Sequence, residues 1–180
     1  MSTNDWTYDE SENFYSEESM SRQGDPPPIL SNARPSTIIV LHKELTGYPN
    51  YGNPSGNADI LYTGNVGSWT FNLPNYLFLL INNFERVRLI LRGALDDHYD
   101  VPENRYNMTV NFNGSRQNFG RLPFVHGRPR GQQFDNWRQL AIDIPTNILR
   151  RNNTVQIRNT SNAGDTDFIA LDWMELRFFF

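Results

Sequence analysis

The strictest constraint on this chain is a two-residue alternation of apolar and polar side chains, interrupted every few residues by turn formers. Tyr106, Met108, Val110 and Phe112 alternate with Asn107, Thr109, Asn111 and Asn113, and Gly114 follows. A period of two sorts side chains onto opposite faces of a strand, whereas a helix repeats its apolar residues every three or four. Val87, Leu89 and Leu91 oppose Arg86, Arg88 and Arg92 in the same way, and Leu140, Ile142 and Ile144, then Val155 and Ile157, repeat the pattern. Residues 37–45, 59–63, 67–73, 76–82 and 167–179 are further strand candidates, 145–151 read as one short helical turn, and 46–57 and 115–135 read as long connections. Many short strands with no long helical period between them predict an all-β, antiparallel two-sheet sandwich or jelly roll.

The first 35 residues break this pattern. Residues 1–25 carry seven acids against the single base Arg22, which leaves them at −6 and the remainder at +2 within a net charge of −4. Pro26, Pro27 and Pro28 form a stiff spacer after them. The division predicted is an extended N-terminal arm over 1–35 and one β-domain over 36–180. A domain of that length buries a sufficient core without staples, and there are no cysteines to supply any. The opening residues lack the basic start and apolar run of a secretory signal, so synthesis in the cytoplasm without a classical signal peptide is expected. The longest strongly apolar stretch, residues 76–81, is too short to span a bilayer as a helix.

Of the 16 basic residues only Lys43 is a lysine, and arginine's planar fork suits persistent contacts. Trp6, Tyr8, Phe14 and Tyr15 interrupt the arm's acids. One expectation is therefore self-assembly: the arm docks its aromatics on a neighbouring copy while its acids face Arg86, Arg88, Arg121 or Arg128. The other is carbohydrate binding. Sugar rings offer apolar faces edged by hydroxyls, so a site needs aromatic planes beside amides and carboxylates. Tyr48, Tyr51 and Asn53 in the Gly-, Pro- and Asn-rich stretch 46–57, with Trp69, supply those groups. For Trp69, as for Trp137, a core position on its strand is the stronger expectation.

Catalytic signatures are missing: the three histidines lack zinc-enzyme spacing, and there is no nucleophile elbow or phosphate loop. The chain is expected not to be an enzyme. Asp96 to Asp100 read most simply as a polar turn. An acidic total without a recognised module argues against nucleic acid.

The order VNFNG, LAIDIP, TNILRRNN, TVQIRNTS and DFIALDWMEL over residues 85–178 resembles the galactose-binding-domain-like jelly roll shared by many carbohydrate-binding modules. That resemblance implies a non-catalytic binding fold. It also implies a structural calcium, no other cofactor being required, at positions matching Glu44 and Asp172. Asp172 is expected on a strand face with Ala170, Met174, Leu176 and Phe178, where a carboxylate needs a partner. Calcium held with Glu44, Asp165 or Asp167 is one solution, and a buried arginine is another. In composition the chain also resembles bacterial spore-surface and parasporal structural proteins, which implies association with a spore or cell surface after lysis.

Overall fold

The computed structural model describes residues 29–31, 38–49, 57–97, 99–130 and 133–180. The first strands are β1 (Ile29–Ser31), β2 (Ile38–Glu44), β3 (Tyr48–Pro49), β4 (Asn57–Tyr62) and β5 (Val66–Asn72). A short helix, α1 (Asn75–Leu79), leads to β6 (Arg86–Leu95), β7 (Met108–Phe112), β8 (Ser115–Phe119), β9 (Arg128–Arg130) and β10 (Gln133–Asp135). The chain continues with β11 (Arg138–Asp143), β12 (Asn152–Asn159) and β13 (Phe168–Phe179).

Two large antiparallel sheets result among the described residues, besides the two-stranded β9–β10 pair. In the larger, seven-stranded one, β13 has β6 and then β11 on one side. On its other side β4 pairs with residues 168–171 and β2 with residues 173–179, in tandem. β1, from the end of the predicted arm, extends the sheet beyond β2. The smaller sheet runs β5, β12, β7, β8. Leu89, Leu91, Met174, Leu176 and Phe178 from the larger sheet meet Phe71, Val110, Phe112, Val155 and Ile157 from the smaller one in a single buried cluster. Each such side chain contributes roughly 1.5–3 kcal/mol when fully buried.

Three expectations need correction. Residues 76–82 form α1 and a following 3₁₀ turn, Ile81–Asn83, rather than a strand. Pro74 precedes the helix, and Leu77, Phe78 and Ile81 pack against the core while Leu79 is 80% exposed; that one-sided spacing is helical. Residues 115–135, expected as one long connection, contain β8 and the β9–β10 pair. The β7–β8 hairpin turns on Asn113 and Gly114, both at positive φ, the backbone that Asn-Gly favours in two-residue hairpins.

The third correction concerns Asp172. Leu171 pairs with Gly93, but Trp173 pairs with Arg92, so Asp172 is an inserted bulge residue. The insertion reverses the alternation. Ile169 and Leu171 before it, and Met174, Leu176 and Phe178 after it, all reach the core. Asp172 therefore does not share a face with Met174, Leu176 and Phe178; it turns away from the core to Arg92.

The segment Asp96 to Asp100 is likewise more than a polar turn. Asp96 is fully buried. Tyr106 donates its hydroxyl proton to the Asp96 carboxylate, 2.8 Å from either oxygen, and the Phe168 amide donates to Oδ2 at 3.1 Å. Burial holds the Tyr106 phenol above its ordinary pKa, and the Asp96 carboxylate adds to that. His126 reaches the Asp96 carbonyl through Nδ1 and the Val101 carbonyl through Nε2, at 2.9 and 2.8 Å. The network ties the end of β6 to the following loops and to the start of β13.

Candidate functional site

Of the predicted glycan residues, Trp69 stands at one edge of the sandwich, where β4 of the larger sheet turns into β5 of the smaller, and Tyr48 begins β3 beside β4. Trp69 lies on the inward-facing register of β5 with Gly67 and Phe71, partly buried against the core. Its ring covers Gly67, where a Cβ would overlap the indole carbons. Only glycine permits this close seat. The indole N–H donates to Asp59 Oδ2 at 2.6 Å, and Asp59 Oδ1 accepts the Gly47 amide at 2.6 Å. Asp59, Ile60, Leu61, Gly67, Ser68 and Trp69 line a cleft of about 210 Å³.

Asp59 thus joins Trp69 to the base of the Gly- and Asn-rich stretch, because Gly47 leads directly into β3, where Tyr48 pairs with Ala58. Tyr51 and Asn53 lie outside the described residues. The aromatic was visible in the sequence; Asp59 and Gly67 were missed. The available signal was Gly67-Ser-Trp69, a glycine two residues before a tryptophan on the same strand face. Trp137, by contrast, is buried, packing with Ala58, Ile60, Ala94 and Ala170.

The proposed metal ligands do not form one site. Glu44 pairs across the sheet with Trp173, beside Asp172, but its Oε1 is 2.8 Å from His42 Nε2. Asp172 is taken by the Arg92 guanidinium. Asp167, which accepts the Gly164 amide, and Asp165 precede β13 and are separated from Asp172 by its first residues. Among the described residues no group of three or more His, Cys, Asp or Glu side chains could hold a metal ion. A cation already occupies the place the calcium expectation reserved, so the residues do not fit that ion.

What stands there is a buried charge row on β2, β6 and β13. His42 lies 2.9 Å from Glu175 through Nδ1 as well as contacting Glu44, and Glu175 also accepts from Arg177 Nε at 2.8 Å. Burial opposes a charge on His42, but hydrogen bonds to Glu175 and Glu44 outweigh it and raise the imidazole above its ordinary value. Burial pushes Asp172 up to about 7 even though Arg92 pulls it down.

The arginines expected to receive an arm do not form one patch. Arg86 stacks over Phe179, with its guanidinium carbon 4.5 Å from the ring centre, and Arg88 Nε donates to Asp143 at 2.8 Å. Both lie near the start of β6. Arg121 is exposed in the connection after β8, and Arg128 begins β9; that connection meets the far end of β6 through the Leu95–His126 bridge. Trp6, Tyr8, Phe14 and Tyr15 lie outside the described residues.

Comparison with known proteins brings the architecture into focus. Dimeric latent PorU from Porphyromonas gingivalis is similar over 92% of this chain, with TM-score 0.50 and 12% identity. The fold is a β-jelly-roll sandwich. The chain spans 14% of the length of PorU. The CBM36-1 domain of a multidomain xylanase from the hindgut metagenome of Trinervitermes trinervoides matches 77% of this chain and 95% of that one, with TM-score 0.41 and 13% identity. A carbohydrate-binding module CBM36 solved with calcium and xylotriose matches 83% of this chain and 92% of its own, with TM-score 0.38 and 9% identity. No family model and no curated protein matches the sequence. Among the described residues no helix is long and apolar enough to cross a membrane.

Proposed function

We propose that this jelly roll is a carbohydrate-binding domain whose site is the cleft between Asp59 and Trp69. The observation carrying this reading is the seating of Trp69 over Gly67 with its N–H fixed by Asp59. A sugar ring gains from an aromatic plane whose position is already set, because less side-chain freedom is lost on binding. Asp59 spends one lone pair on the indole and one on Gly47, and a carboxylate has about four such sites. The remainder serve sugar hydroxyls at the rim of the ring.

A glycan array probed with the wild-type chain and with Trp69→Ala tests the reading. Specific binding to a subset of glycans, weakened at least tenfold in the variant, is expected; tenfold corresponds to about 1.4 kcal/mol. Trp69→Phe keeps a plane but loses the Asp59 bond, and should fall between the two. Silence across the array, or unchanged binding by Trp69→Ala, overturns the proposal.

A further inference from the structure

The outer face of the smaller sheet carries a second feature, independent of the Trp69 cleft. Strand register assigns its outward positions. Asn111 of β7 pairs with Arg116 of β8 and Gln156 of β12, while Thr109 pairs with Asn118 and Arg158. Ser68 and Thr70 of β5 continue the row beyond Gln156 and Thr154. Across all four strands the outward residues are Ser, Thr, Asn, Gln or Arg, with Val66 as the exception. No carboxylate is among them, although the protein as a whole is acidic.

Val66, Thr109, Asn111, Arg116, Gln156 and Arg158 line a shallow groove of about 170 Å³ on this face. Arg116 and Arg158 stand on either side of β7, two strands apart and offset by two residues along it, or roughly 12 Å between backbones at ordinary strand spacing and rise. Arg158 donates one N–H to the Gly64 carbonyl at 3.0 Å, which fixes its direction. Arg116 is exposed and makes no hydrogen bond or ion pair with the described residues. Thr109 donates to Asn118 Oδ1 at 2.9 Å, so part of the amide row is held in place as well.

We infer that this face binds an acidic polysaccharide, its carboxylate or sulfate groups taken by Arg116 and Arg158 and its hydroxyls by the surrounding amides and hydroxyls. The charge balance selects an anion, since two guanidiniums meet no acid in the groove. Guanidinium forks match carboxylate and sulfate oxygens in pairs. The lack of any aromatic plane tells against nucleic-acid bases, which stack. The same lack tells against an aromatic-rich acidic peptide such as residues 1–28, because Val66 is the single apolar contact on offer. A polymer bearing many hydroxyls and one repeated anion fits both the chemistry and the shallow groove on this face.

Affinity electrophoresis of the full chain through gels containing polygalacturonate, dextran sulfate or neutral dextran tests this. Retardation by at least one polyanion and not by neutral dextran is expected, declining as salt is added. The preferred polyanion distinguishes carboxylate from sulfate as the natural group. Arg116→Gln should weaken retention at least threefold, and Arg116→Gln with Arg158→Gln at least tenfold, with circular dichroism unchanged. Trp69→Ala should leave it intact, which separates this site from the proposed glycan cleft. The inference fails if neither polyanion retards the chain, or if the double variant binds as wild type. It also fails if a synthetic peptide of residues 1–28 binds the face more tightly than either polymer.

Discussion

At the scale of single residues, the buried charge row makes stability depend on pH in a direction that can be worked out. His42 binds its proton more tightly folded than unfolded, so its contribution is complete below pH 6.5 and is lost as pH rises through the folded value. Asp172, pushed by burial to about 7 from an ordinary 3.8, acts in the same sense, so the fold loses stability as pH climbs between those values. Glu175 acts oppositely. Burial raises it, but the His42 hydrogen bond and the Arg177 charge outweigh that and hold it low, so its contribution is lost as pH falls through its folded value. Stability should therefore peak in mildly acidic solution, with a higher urea midpoint near pH 5.5 than near pH 8.5. His42→Gln should narrow that difference; equal midpoints in the wild type would contradict the account. Asp172 and its need for a partner, a buried arginine among the solutions, were legible in the sequence; the rest of the row was not, because His42, Arg92 and Glu175 are brought together by strand pairing at separations no local pattern encodes.

At the scale of elements, alternation was a reliable guide wherever one face is buried and the other wet, as in β7 and β12. It failed at residues 76–82, where an uninterrupted apolar run has no period to read and helix and strand look alike. The outcome there was decided by which side chains find the core. Leu77→Glu should abolish folding or cost more than about 3 kcal/mol, whereas Leu79→Glu should change stability by no more than about 0.5 kcal/mol. Chemical denaturation of the two variants measures both, and equal losses would argue for a strand. Asp172 failed for a different reason. A bulge adds one residue without a compositional mark, so Asp172 and Ala170 were grouped with Met174, Leu176 and Phe178, which do reach the core, although the first two lie on the opposite face.

At the scale of the whole molecule, the two sheets share one continuous apolar cluster drawn from both, so they should unfold together. Trp173 is fully buried in the larger sheet, and Trp69 sits at the edge of the smaller. Tryptophan emission and far-ultraviolet circular dichroism should accordingly give the same urea midpoint, and separated midpoints would mean that one sheet melts alone. The two-sheet architecture was readable because it follows from many short alternating segments; the placement of binding groups was not, since Asp59 meets Trp69, and Arg116 shares a face with Arg158, through pairing between distant segments.

The position of β13 has a kinetic consequence. It follows every other strand in the chain, yet it is the one against which β2, β4 and β6 all align. Those three have no common partner until it arrives, so on a ribosome β2 and β4 wait with open edges while more than a hundred further residues are made, and β6 waits for about seventy. Such edges invite pairing with another chain. The growing polypeptide should depend on chaperones until its final strand emerges, and then close the larger sheet in one late step.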